Sequence, residues 1–157
     1  TLIERLAPAE IEAVLAHELG HFKLRHIAKR MAFSFGMSFF ALALLGWLAQ
    51  QPWFYLGLGV EPALDGRNDG LALLLFMLVL PVFAFPLAPL ASLLSRRHEF
   101  EADAYAAQVA SGPDLARALV KLYEDNAATL TPDPLHSAFY DSHPPAALRL
   151  ARLPAPA

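Results

Sequence analysis

Apolar positions first recur at helical spacing, with Ile11, Val14, Leu15, Leu19 and Phe22 marking one face of a helix. Pro8 suits a first-turn position, Glu10 and Glu12 favour the positive N-terminal end, and Lys29 and Arg30 favour the other. The pattern therefore predicts a helix over Pro8 to Arg30. Beyond it the alternation of apolar and polar residues stops. Met31 to Val60 holds no charged residue, and residues 31–49 are long enough to cross a bilayer as a helix. A second charge-free run covers Gly70 to Ser95, with its apolar body at 71–94. Pro81, Pro86 and Pro89 predict kinks there, which membrane helices tolerate where neighbours satisfy the freed carbonyls. Arg96 to Val109 then reads as helical, Ser111-Gly112-Pro113 as a break, and Asp114 as the cap of a helix to about Asn126. Thr131-Pro132-Asp133-Pro134 reads as a loop, and a last short helix follows Pro145.

Composition sharpens this picture. Hydrophobic residues make up 56% of the 157 and charged residues 17%, against roughly half and a quarter in an ordinary soluble domain. A soluble fold that buries both runs is the alternative, but uncharged stretches of this length are rare in soluble domains. The flanks carry a further signal. Lys23, Arg25, Lys29 and Arg30 precede the first run and Arg96 and Arg97 follow the second, whereas the connection with Glu61, Asp65, Arg67 and Asp69 has one basic residue. The positive-inside rule then predicts a transmembrane hairpin with both outer ends cytoplasmic, so the segments before and after it meet on one side. A net charge of −3 leaves no basic footprint for nucleic acid, so no nucleic-acid partner is expected. Without cysteine, disulfides and thiolate metal sites are excluded. The chain opens at Thr1, directly before an amphipathic helix and without a signal peptide, which predicts an upstream part of the natural protein.

His17-Glu18-Leu19-Gly20-His21 matches H-E-x-x-H. Imidazoles four apart on a helix share a face and can grip one ion, while Glu18 stays close enough to reach a metal-bound water. Zinc lowers the pKa of such a water to about 7, and a carboxylate can take its proton as it attacks a carbonyl. A catalytic site needs a third protein ligand and leaves the fourth position open. His26 lies nine residues after His17, on the opposite side of a continuing helix. The longer H-E-x-x-H-x-x-G-x-x-H pattern also fails, at Leu24 and Ile27, so His26 reads as a surface or interface histidine. The better source is His98-Glu99-Phe100-Glu101-Ala102-Asp103. Glu99 and Asp103 share a helical face and Glu101 points elsewhere, so one carboxylate can bind zinc while the other orients a ligand histidine. A solvated acidic face is the plain alternative, and His98 is a rival ligand. In Ser142-His143-Pro144-Pro145, followed by Arg149, the histidine could donate to a developing oxyanion and the arginine could hold a substrate carbonyl or carboxylate. By residue chemistry alone, a turn with an incidental histidine is the default there.

Three stretches together carry a family resemblance. Ala13-Val14-Leu15-Ala16-His17-Glu18-Leu19-Gly20-His21-Phe22-Lys23-Leu24, Ser95-Arg96-Arg97-His98-Glu99-Phe100-Glu101-Ala102-Asp103-Ala104 and Ser142-His143-Pro144-Pro145 resemble the CAAX prenyl protease type 1 family in order, spacing and intervening hairpin. The resemblance implies an all-α, membrane helical zincin-type metallopeptidase domain over residues 1–157, with the hairpin inserted between the two zinc-binding helices. It implies one zinc ion per chain on His17, His21 and Glu99, Glu18 as general base, Asp103 supporting a ligand histidine, His143 stabilising the transition state, and Arg149 contacting substrate. It further implies a multi-pass membrane protein that cleaves prenylated proteins near their C-termini, completed by upstream membrane helices of the same protein. His98 departs from the pattern, where an apolar aromatic residue is common, and an alanine-rich tail replaces longer termini. The alanine-, leucine- and proline-rich composition points to a bacterial inner membrane, with the endoplasmic reticulum as the eukaryotic equivalent. A bacterial source would favour turnover of membrane proteins over prenylated substrates, as in the related heat-shock membrane proteases, whose fit around Arg96 to Asp103 is looser. A non-catalytic membrane scaffold with a closed, four-ligand zinc site, for instance through His98, is the reading from a different class.

Overall fold

The computed structural model describes residues 5–63, 66, 68–125 and 132–154. Along them run α1 (Pro8–Lys23), α2 (His26–Leu48), α3 (Pro52–Gly57), α4 (Asp69–Ala84), α5 (Ala88–Val109), α6 (Gly112–Asp125), α7 (Pro134–Tyr140) and α8 (Ala146–Leu150). No strand occurs among the described residues, so the predicted all-α class holds. The chain forms two compact units, one from Thr1–Ile27 with Ala88–Ala157 and the other from Ala28–Leu87.

In the first unit the core is built largely from small residues. Ala13 and Ala16 of α1 meet Ala106 of α5, with Leu115, Ala116 and Leu119 of α6 and Leu153 closing the cluster. Where α1 crosses α5, a Cβ on Gly20 would sit 3.1 Å from the Cα of Ala102 and 3.2 Å from its carbonyl oxygen. Of the predicted apolar face of α1 only Val14 packs against this core, and the larger part turns the other way. Leu15, Leu19 and Phe22 are exposed, while the alanine and glycine side is packed. Glu10 pins the start of this helix. Its buried carboxylate accepts the N–H of Ala7 at 2.7 Å and a bond from Lys121 Nζ of α6, also at 2.7 Å.

Several boundaries differ from the sequence reading. The helix predicted to reach Arg30 ends at Lys23, because Arg25 adopts a left-handed conformation (φ 57°) and α2 begins afresh at His26. Neither glycine nor proline marks this break. The second apolar run divides into α4, a 3-10 turn at Phe85–Leu87, and α5, which continues unbroken from Ala88 through Arg96 to Val109. Pro81 lies inside α4 and Pro86 in the 3-10 turn, whereas Pro89 sits in the first turn of α5, where a missing N–H costs nothing. Helix α6 starts at Gly112, and Ser111 Oγ, rather than Asp114, accepts the exposed N–H at 3.3 Å. Helix α7, unpredicted, is capped by Asp133, whose carboxylate accepts the N–H groups of Leu135 and His136, each at 2.9 Å. The expectations that fall on Asp65, Arg67, Asn126, Thr131 and the alanine-rich tail (155–157) lie outside the described residues.

The second unit joins the apolar helices α2 and α4 through the short α3. Phe54 and Tyr55 of α3 pack on Ala72, Leu75 and Phe76 of α4 and on Ala41, Leu44, Leu45 and Leu48 of α2. The Tyr55 hydroxyl donates to the carbonyl of Ala49 at 2.7 Å, which ties α3 to the end of α2. By length and composition both apolar runs suffice to cross a membrane, at mean hydropathies of 1.8 and 2.6. Their large side chains face outward, with Phe33, Phe35, Phe39 and Leu42 all exposed, the reverse of a soluble core helix.

Two outcomes test this packing. Glu10→Gln should lower the midpoint of thermal unfolding at neutral pH. The Lys121 bond holds the Glu10 carboxyl below its ordinary value, with burial opposing. The stabilisation is therefore present above about pH 4.3 and lost as pH falls through the lower folded-state value, so the variant should show a flatter acid dependence. Gly20→Val should force α1 from α5 and destabilise by about 1–3 kcal/mol in denaturant titrations.

Candidate metal centre

The close α1–α5 crossing brings two helical faces together. His17 and His21 lie one turn apart on α1, and Glu99 and Asp103 one turn apart on α5. His17 Nε2 is 3.1 Å from His21 Nε2 and 3.7 Å from Glu99 Oε2, and His21 Nε2 is 3.4 Å from Glu99 Oε1. Ligand atoms about 2.05 Å from a tetrahedral ion lie about 3.3 Å from one another. With one carboxylate oxygen of Glu99 nearest each histidine, the three residues offer donor atoms within 4.8 Å of one another, and two imidazoles with one carboxylate form a donor set that zinc accepts. Burial pushes the His21 imidazole below its ordinary value against the opposing pull of Glu99. That direction favours the neutral form a metal requires.

The supporting groups are as ordered as the donors. Asp103 Oδ1 lies 2.9 Å from His17 Nδ1, which turns the opposite nitrogen toward the shared point. Arg149 of α8 grips the same carboxylate from the other side, donating from Nε to Oδ2 at 2.8 Å and from Nη2 to Oδ1 at 2.6 Å. Its Nη1 is 3.5 Å from Glu99 Oε2. Burial works against the guanidinium's charge, but Asp103 and Glu99 outweigh it and raise the arginine's value. His17, Glu99, Asp103 and Arg149 are all less than a tenth exposed.

Glu18 stands beside this cluster on the exposed side of α1. His143, also exposed, places Nε2 3.7 Å from Glu99 Oε1, and its Nδ1 lies 3.0 Å from Ser142 Oγ. The turn that carries it is anchored from α6, where the Tyr123 hydroxyl donates to the carbonyl of buried Pro144 at 3.2 Å. Tyr123, His136, Tyr140 and His143 line a cleft of about 390 Å³. All seven site residues expected from the sequence therefore belong to one unit, and six of them share polar contacts in one cluster.

His26 is the main correction. It is buried, with Nδ1 3.1 Å from His21 Nδ1 and Nε2 3.1 Å from Glu101 Oε2, because the break at Arg25 removes it from the line of α1. His98 stacks on His26, with ring centroids 4.2 Å apart and planes 10° apart. Tyr123 went unnoticed in the sequence because no motif contains it.

A family model described as Peptidase family M48 matches residues 1–157. CAAX prenyl protease 1 of Saccharomyces cerevisiae is 35% identical over 164 residues, covering 98% of this chain and 36% of that protein. The Homo sapiens CAAX prenyl protease 1 homolog is 36% identical over 147 residues, covering 92% of this chain and 30% of that protein. The crystal structure of S. mikatae Ste24p superposes with a TM-score of 0.78 at 33% identity, covering 90% of this chain and 36% of that one. The chain spans about a third of the length of the relatives it matches.

The Asp103–Arg149 pair yields a stability prediction. Arg149→Ala leaves a buried carboxylate without its partner and should cost about 3–5 kcal/mol in denaturant unfolding. Asp103→Asn combined with Arg149→Met should cost less than the sum of the single changes, the signature of direct coupling.

Proposed function

Because the chain belongs to peptidase family M48, we propose that it is the catalytic portion of an integral-membrane zinc metalloendopeptidase, with one zinc held by His17, His21 and Glu99. The observation that carries this reading is the convergence of the two imidazole Nε2 atoms, 3.1 Å apart, on the Glu99 carboxylate, whose oxygens lie 3.4 Å from His21 and 3.7 Å from His17. Bound there, zinc would polarise the scissile carbonyl and lower the pKa of a water ligand to about 7. Glu18, on the open side of α1, takes a proton from the attacking water and returns it to the leaving amine. Asp103 fixes the ring and tautomer of His17 from behind. His143, steadied by Ser142, donates from Nε2 to the oxyanion that develops beside Glu99. Arg149 spends two donors on Asp103, which leaves Nη1 to hold a substrate carbonyl or carboxylate.

Residues 1–157 act in this reading as a single metallopeptidase domain with spans at about 31–49 and 71–94. The outward apolar side chains of both runs support lipid contact, and the basic flanks support a cytoplasmic active site. The exposed Leu15, Leu19 and Phe22 of α1 offer an apolar face that upstream membrane helices of the natural protein would cover. The names of the relatives, CAAX prenyl proteases, support a prenylated peptide or protein substrate.

Metal analysis of the full natural protein should find about one zinc per chain. Glu18→Gln should keep that zinc and lose at least about 100-fold in peptide cleavage. Undiminished cleavage by this variant would remove Glu18 as the base. A prenylated peptide should be cut faster than its unmodified twin, and equal rates would favour general turnover of membrane proteins.

A further inference from the structure

We infer that His26 and Glu101 are positioning residues for His21, forming a hydrogen-bonded relay that fixes the tautomer and ring plane of this ligand; the inference rests on the metal-centre reading above. The two ligand histidines differ in their outer partners. His17 Nδ1 has the Asp103 carboxylate at 2.9 Å, whereas His21 Nδ1 faces an imidazole nitrogen, His26 Nδ1, at 3.1 Å. At the far side of that ring His26 Nε2 lies 3.1 Å from Glu101 Oε2, and Glu101 Oε1 accepts from Arg97 Nε at 2.7 Å.

Proton placement follows link by link. A lone pair on His21 Nε2 directed at the metal leaves the proton on Nδ1. Two donors cannot face each other at hydrogen-bonding distance, so His26 Nδ1 accepts and its proton resides on Nε2. That N–H then donates to the carboxylate of Glu101. The chain of bonds has one consistent direction and ends on a negative charge paired with Arg97, which raises the basicity of the ligand as a direct carboxylate would.

Two further observations separate this role from others. His26, His98 and Glu101 also bring possible ligand atoms within 4.8 Å of one another, which suggests a second metal site. The stacking argues against it. With the rings 4.2 Å apart and 10° from parallel, their in-plane lone pairs cannot converge on an ion about 2 Å from each. The stack instead holds the plane of His26. The backbone also invests in this placement, because Arg25 occupies the left-handed region at φ 57°, at a cost of about 1–3 kcal/mol for a residue other than glycine. On a continuous helix His26 would face away from His21.

Zinc affinity of the full natural protein, measured by chelator competition, provides the test. His26→Leu should weaken zinc binding by roughly 10–100-fold, and Glu101→Leu by roughly tenfold. His26→Gln should restore most of the loss, since its amide oxygen can accept from His21 and its amide nitrogen can donate to Glu101. The visible spectrum of the cobalt-substituted protein should shift in His26→Leu and return toward the original in His26→Gln. His98→Phe, which keeps a ring over His26, should leave zinc affinity and stoichiometry unchanged. Glu101→Leu alters a part-exposed side chain and tests the same relay if His26→Leu does not fold. Unchanged zinc affinity and cobalt spectrum in both leucine variants would overturn the inference alone, as would a second zinc lost on His98→Phe. A natural protein that takes up no zinc would overturn the metal-centre reading together with it.

Discussion

The site depends on how closely α1 approaches α5. Imidazole and carboxylate side chains are short, so donors on two helices meet at one point only where the backbones nearly touch. Gly20 against Ala102 provides that contact, and Ala13, Ala16 and Ala106 extend the same small-residue packing. Bulkier residues along this seam would separate the axes toward the 8–10 Å usual for packed helices and pull Glu99 away from both histidines. Leu15, Leu19 and Phe22 of α1 accordingly lie on its other side. Helical periodicity alone would have turned that side inward.

Charge imposes the second constraint. Glu99 and Asp103 are buried one turn apart and repel each other. Arg149 relieves the repulsion, bidentate to Asp103 and 3.5 Å from Glu99, yet two carboxylates and one guanidinium still leave a negative charge in the interior. A buried net charge is costly unless a counter-ion completes it. A divalent cation held as proposed between His17, His21 and Glu99 would supply that completion and would couple metal binding to the stability of this unit. Arg149 comes from the far C-terminal helix α8, so the same pair that orients His17 also secures the end of the chain to its core.

The pair of histidines four apart was legible because helical geometry converts that spacing directly into a shared face. Glu99 and Asp103 were legible for the same reason, and the two uncharged runs declared their helices by length. Less was visible where tertiary contacts override local pattern. The break at Arg25 bears no glycine or proline, so nothing local announced that His26 would leave the axis of α1 and become buried. For Arg149 the sequence could not show the second engagement, in which two of its donors are held by Asp103. Tyr123 belongs to no motif, and its place behind the His143 turn follows only from the packing of α6. The short helices α3 and α7 were missed because neither is long enough to display a period.

The average composition conceals two different populations of residues. The 17% of charged residues and the 56% of hydrophobic ones are not mixed evenly. In the unit from Thr1–Ile27 and Ala88–Ala157, small apolar residues and charged groups are buried together, and both groups of potential metal ligands lie there. In Ala28–Leu87, large apolar side chains face outward around a modest core of Phe54, Tyr55, Leu75 and Phe76. A soluble protein would avoid so much exposed phenylalanine and leucine, whereas in a bilayer such surface costs nothing and the helical backbone satisfies its own hydrogen bonds. The division assigns ligand geometry to one part of the chain and solvent compatibility to the other. Each part can then satisfy a requirement that would be destabilising in its neighbour: buried charge needs compensating partners, while exposed apolar surface needs lipid.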